Sequence, residues 1–373
     1  MRRFLILILS ISLCIMFTLS GCSCAGDFIL EFNSTQVKNI KEETLTYSVN
    51  FKDSYKEIER SSNVIADILP EYQNGLYVAK YQTNVGFPSD CASNLSQPES
   101  VINRIETKLT IDVVDTKNNK TYKDQIYTEV YFYDSSLSYA PIYSKTLIKN
   151  TYIASNETSI ELIPMIYEYS VTYNKSNYVM SKKTYKPYED KNQPENNEDI
   201  SGQMDLNALD QSKLISMADD GKSYEYEFRH ILDNAQLIFA NRSLNLAKNQ
   251  STLIPVVSYM YSNPTKLEVL NTADSTFNIE SSLNYTTPTV NKDYDENLSM
   301  PAKNIRISLY NTSYTGLPKY ITVQSDSADN GTISNNGLVL EYAEAVLGTY
   351  YTTYNCLGAL VYTLNNVSIT YNT

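Results

Sequence analysis

Apolar and polar residues alternate with a period of two through most of the chain beyond residue 43, the pattern of strands with one buried and one solvated face. Leu45, Tyr47, Val49 and Phe51 form the first such run. The cleanest is Ile105, Thr107, Leu109, Ile111 and Val113, set against Glu106, Lys108, Thr110 and Asp112. From Ile126 to Tyr133, Ile126, Val130 and Phe132 take one face, while Tyr127, Tyr131 and Tyr133 take the other. The polar tetrapeptide Lys117-Asn118-Asn119-Lys120 lies between these two runs and predicts a hairpin. A long strand from about Ile160 to Tyr173 puts Tyr167, Tyr169 and Tyr173 on a common face. Further strands are predicted over Leu253–Tyr261, Lys266–Leu270, Lys303–Tyr310, Lys319–Gln324 and, past turns at Asp329-Asn330-Gly331 and Asn335-Asn336-Gly337, from Leu338 to Tyr371. Two short helices interrupt them. One covers about Leu206 to Ala218, and the other starts at Asp233-Asn234-Ala235-Gln236, a capping box, and runs to about Arg242. The expected class is mainly β with a few short helices.

The N-terminus has a different pattern. Arg2 and Arg3 precede an apolar run from Phe4 to Leu19, the charge and length of a secretory signal rather than of a stop-transfer helix. The run ends in Leu19-Ser20-Gly21-Cys22, which resembles the lipobox of bacterial lipoproteins. That resemblance implies that Cys22 carries diacylglycerol, becomes the new N-terminus after cleavage, and holds the protein on the extracytoplasmic face of the cell membrane. Two or more acyl chains give stable anchoring where one gives only marginal binding. Losing residues 1–21 removes Arg2 and Arg3, which leaves 28 basic against 42 acidic residues. So acidic a body is repelled by anionic lipid, and attachment then depends on the covalent lipid.

The chain therefore divides into a signal peptide (1–21), a lipidated tether (22–43), a β-rich lobe (44–187), an acidic loop or linker (188–203) and a second β-rich lobe with short helices (204–373), either separate from the first or continuous with it. The acidic stretch holds Glu189, Asp190, Glu195, Glu198 and Asp199 with little apolar surface to order it.

Composition closes off several chemistries. A single histidine, His230, rules out metal sites built from two or more imidazoles. A formal net charge of −12 has the wrong sign for nucleic acid. There is no G-x-S-x-G or S-x-x-K, and no phosphate-loop or dinucleotide fingerprint, so nothing points to a cofactor. Asp293, Asp295 and Asn297 begin like a calcium loop, but Leu298 stands where glycine is needed and Asn304 where glutamate is needed. Beyond the anchor, Cys24, Cys91 and Cys356 remain, and a Cys91–Cys356 disulfide is compatible with export. A carboxylate pair of a cell-envelope hydrolase has no spacing rule and stays open.

The 33 tyrosines leave two clusters as candidate ligand-facing surfaces: Tyr127, Tyr131 and Tyr133, and Tyr167, Tyr169 and Tyr173. Tyrosine offers apolar area with a hydroxyl at its edge, and it is also a good strand former on half-exposed faces. The layout from about Ile126 to Gln324 is similar to secreted LolA-like domains. The likeness lies in long tyrosine-rich strands, in Asp233-Asn234-Ala235-Gln236-Leu237 opening a short helix, and in the late strand start at Leu317-Pro318-Lys319-Tyr320. That resemblance implies an antiparallel curved sheet or half-barrel with a concave apolar face for lipid tails or lipoproteins. The expected role is a non-enzymatic binding or scaffold protein with a lipid, glycan or envelope-protein partner.

Overall fold

The computed structural model describes residues 40–52, 70–86, 88, 101–134, 139–155, 160–174, 177–185, 196–203, 231–240, 251–257, 265–271, 284–286, 302–309, 318–324, 339–350 and 353–371. The first eight strands are β1 (Ile40–Lys52), β2 (Glu71–Gln82), β3 (Ile102–Asp115), β4 (Lys120–Tyr133), β5 (Pro141–Ser155), β6 (Ile160–Asn174), β7 (Asn177–Tyr185) and β8 (Asn196–Gln203). They pair with their sequence neighbours in one antiparallel meander. The rest are β9 (Leu232–Asp233), β10 (Ser251–Val257), β11 (Thr265–Asn271), β12 (Asn284–Thr286), β13 (Ala302–Leu309), β14 (Pro318–Gln324), β15 (Val339–Tyr350) and β16 (Thr353–Tyr371). The last strand, β16, lies antiparallel to β1, so the order runs β8 to β1 and then β16, β15, β14, β13, β11, β10, β9. The two halves of the chain are thus one continuous sheet. A 3-10 turn, Asn234–Gln236, leads into α1 (Leu237–Ala240).

The predicted hairpin is β3–β4, in register from Ile102↔Tyr133 to Asp115↔Lys120. Its turn is held by Asn118, whose backbone N–H donates to Asp115 Oδ1 at 3.0 Å. Asn119 takes a positive φ of 50°, a conformation that asparagine tolerates better than most residues. The strand β2, missed by periodicity, contains Asn74-Gly75, which reads as a turn. Instead, a bulge between Gln73 and Leu76 absorbs the pair, with Asn74 at φ 53°. Gly75 is required there, because a Cβ would stand 2.2 Å from the Val49 carbonyl oxygen on β1.

The sheet curls strongly. Tyr77 on β2 and Tyr342 on β15 stand three strand spacings apart, roughly 14 Å in a flat sheet. Their ring centroids are 6.0 Å apart. At one corner, β15 also pairs in parallel with β5, Gly348 opposite Ile153. The result is an antiparallel half-barrel whose main core fills the concave side, with β1 to β7, β16 and the helical segment all contributing.

Two boundaries differ from the sequence reading. Residues 40–43, expected in the tether, already belong to β1. Within the expected acidic loop 188–203, residues 196–203 form β8, with Ile200 opposite Met180 and Glu198 opposite Lys182. Backbone ladder bonds do not need apolar side chains, and charge suits a terminal strand because it discourages further pairing. The predicted helix at 206–218 and the turns at 329–331 and 335–337 lie outside the described residues.

Candidate functional site

Registers across the meander set the concave face out in rows. One row runs Val367, Leu45, Ala79, Thr107, Thr128, Thr146, Tyr169, Lys182. To one side lies the row of Tyr81, Ile105 and Val130, and to the other Tyr47, Tyr77, Leu109, Ile126, Ile148 and Tyr167.

The helical segment covers the Tyr81 side. Asp233 caps it: Ala235 N–H donates to Asp233 Oδ1 at 2.9 Å, and the Asp233 N–H donates to Gln236 Oε1 at 2.9 Å, the reciprocal bonds of the predicted capping box. The same carboxylate ties the segment to the sheet by accepting the Tyr173 hydroxyl on β6, with Ser144 on β5 as a second partner. Burial raises the Asp233 carboxyl above the usual aspartate range, against the lowering effect of these bonds. Tyr173 is raised well above an ordinary phenol by burial and then by Asp233 itself. Gln236 Nε2 donates to the Tyr139 carbonyl at 3.2 Å, and the Phe239 ring lies 6.0 Å from Tyr81. Leu237, Ile238, Phe239 and Ala240 are all buried. The segment is a plug seated on one side of the half-barrel.

The other side stays partly open. Tyr77, Ile126, Tyr167, Tyr342, Phe51 and Tyr72 pack against the core yet are only half-buried. At the β2–β1–β16–β15 end, four tyrosines stack into one another. Tyr47, Tyr77 and Tyr342 meet edge to face at 5.9–6.0 Å, Tyr77 meets Tyr362 at 5.3 Å, and Tyr342 lies flat on Tyr362 at 4.1 Å. Burial pushes the Tyr77 and Tyr342 phenols far up, so they stay protonated donors. The stripe is an apolar wall edged with hydroxyls.

Among the described residues, two carboxylates beside this stripe, Glu344 and Asp124, are engaged within the protein. Tyr362 donates to Glu344 Oε2 at 3.0 Å. Asp124 accepts the Thr151 N–H at 3.0 Å and the Thr151 hydroxyl at 2.7 Å. The β4–β5 ladder stops at Gln125↔Lys149, and Asp124 ties the strands together just past that point. Burial pushes its carboxyl up to about 6, although the Thr151 bonds and Lys149 pull it down.

The six tyrosines predicted to face ligand do not share a surface. Tyr127, Tyr131 and Tyr133 point to the convex side. There Tyr127 donates to Glu106 at 2.7 Å and Glu106 pairs with Arg104 at 2.7 Å. Tyr131 joins a satellite core with Ile102, Ile142 and Tyr143, against which Tyr133 packs. Tyr167, Tyr169 and Tyr173 point to the concave side, where Tyr169 and Tyr173 are buried and Tyr167 alone borders the open stripe. Cys22, Cys91 and His230 lie outside the described residues, as does the 293–297 acidic turn. Cys356 sits on β16 opposite Leu347. The Tyr47–Tyr77–Tyr342–Tyr362 cluster has no signal within any one strand, because its members come from four strands at both ends of the chain.

No family model, curated protein or solved structure matches the chain.

Proposed function

We propose that this is a non-enzymatic lipoprotein, held on the outer face of the cell membrane by lipid on Cys22, whose concave stripe binds an apolar, lipid-like ligand. One observation carries the binding reading. The plug fills one side of the concave face and leaves the other lined by half-buried aromatic and aliphatic side chains. Such a wall offers apolar area to a ligand while its hydroxyls fix orientation. The engagement of Asp124 and Glu344 in bonds within the protein gives the carboxylate-hydrolase alternative less support.

The absence of tryptophan from the chain supplies a clean reporter. In the full chain held in vesicles, Tyr77→Trp should be strongly quenched by a neutral brominated long-chain alcohol, and Tyr127→Trp on the convex side should be quenched no more than the bulk membrane allows. Equal quenching at the two positions would remove the concave site. Cys22→Ala should move the protein out of the membrane fraction, and unchanged retention would remove the anchor.

A further inference from the structure

Among the described residues, three pairs of aromatic rings are stacked. Two of them, Phe51 with Tyr72 and Tyr81 with Phe132, contain a phenylalanine. The third joins two phenols. Tyr342 and Tyr362 are register partners on β15 and β16, with ring centroids 4.1 Å apart and planes 10° from parallel. The other described tyrosine pairs meet edge-on or tilted, at 5.3–6.1 Å. Tyr362 donates to Glu344 Oε2 at 3.0 Å, and the Tyr342 and Tyr77 hydroxyls are bonded to each other. The same carboxylate acts on Tyr77 and Tyr342 through its charge. Tyr362 is buried, while Tyr342, Tyr77 and Glu344 are half-buried.

Two phenoxyl radicals couple from a stacked arrangement, because their spin lies in π lobes above the carbons ortho to oxygen. We infer that Tyr342 and Tyr362 are a site of oxidative modification, joined as dityrosine by one-electron oxidants of the carbonate-radical class. Each phenol gives one electron to one oxidant and loses its hydroxyl proton. The Tyr362 proton passes to Glu344, and the Tyr342 proton passes along its bond with Tyr77. One carbon–carbon bond then forms between an ortho position of each ring. The two ortho hydrogens move to the oxygens as the rings regain aromaticity. The net change is the loss of two electrons and two protons, with no atom added. The chain has no tryptophan, so no indole competes as the site of oxidation. The Glu344 charge favours electron loss from the cluster by simple attraction for the positive charge left behind. Tyr342 and Tyr77 present ring area to a small oxidant, and ring contact carries the oxidation from Tyr342 to the buried Tyr362. The two residues already face each other across the ladder, so the link orders little that is not ordered before it forms. This site depends on neither the ligand nor the lipid anchor.

The test irradiates the full chain in membranes with ruthenium tris-bipyridine and persulfate, a source of one-electron oxidant, and stops at low conversion. Dityrosine fluorescence gives the yield. Mass spectrometry of linked peptides, each pair lighter by two hydrogens, gives the positions. The Tyr342–Tyr362 link should carry most of the intramolecular yield, although the chain offers 33 tyrosines. Tyr362→Phe keeps the ring in place and should remove most of the fluorescence. Glu344→Gln keeps an acceptor for the Tyr362 hydroxyl but takes up no proton. It should slow the link about a hundredfold, the lower end of what a positioned proton acceptor contributes. Links spread over other tyrosine pairs, or unchanged fluorescence in Tyr362→Phe, would overturn the site. An unchanged rate in Glu344→Gln would overturn the role of the carboxylate.

Discussion

Replacing Asp233 with alanine should lower the stability of the protein by roughly 2–4 kcal/mol, while Asp233→Asn should cost much less. Two separate losses add up in the alanine variant. The first is the helix cap: Asp233 Oδ1 accepts the Ala235 N–H, and removing such a cap costs about 0.5–2 kcal/mol. The second is the tie to the sheet, where the buried Tyr173 hydroxyl, donating to Asp233, is left without its acceptor at a cost of about 1–3 kcal/mol. Asparagine keeps an acceptor oxygen and is as good an N-cap. A urea titration followed by far-ultraviolet circular dichroism reads the effect as a lower midpoint at similar slope. Equal losses in the two variants would mean that volume at this position, rather than the bonds, seats the plug. The plug also bounds the open stripe, so the alanine variant should lose preference for the concave site before it loses its strands.

Much of this local architecture was legible in the sequence. The Asp233–Gln236 spacing predicted the cap because both reciprocal bonds are made within four residues. The β3–β4 hairpin followed from period-2 alternation on either side of a polar turn. Periodicity also separated Ile126, Val130 and Phe132 from Tyr127, Tyr131 and Tyr133. It could not say which face is concave, because that is decided by the curl of the whole sheet. Hence two tyrosine triplets that look alike in sequence ended on opposite sides. The curl depends on β16 returning to β1, a contact such as Ser48 Oγ to the Thr363 carbonyl across 315 residues. The same long-range step assembles the four-tyrosine cluster. β2 was obscured by a turn-like Asn-Gly that is a bulge, and β8 by an acidic composition that suits a sheet edge.

Asp124 should make the protein more stable toward mild acid, opposite to the behaviour of a salt-bridged aspartate. Its carboxyl titrates at about 6 in the folded protein, against the ordinary 3.8, with burial as the main cause. The folded state therefore holds a proton between about pH 4 and 6 that the unfolded chain has released. The stabilisation from this group is complete below the unfolded value and is lost as pH rises through the folded one. A shift of this size corresponds to about 3 kcal/mol. Thr151 and Lys149 on β5 and Tyr72 on β2 face the carboxyl. Relief of the general negative charge on acidification acts in the same direction, so the wild type alone does not isolate Asp124. Asp124→Asn does. Its amide oxygen can accept the Thr151 N–H and its NH₂ can donate to the Thr151 hydroxyl, the arrangement that the protonated acid also makes. The variant should match the wild type near pH 4 and exceed it by up to about 3 kcal/mol near pH 7.5, read from urea midpoints at each pH. Parallel pH profiles for the two proteins would show that the Asp124–Thr151 tie carries no proton. The link across the end of the β4–β5 ladder would then be a charged one throughout this range.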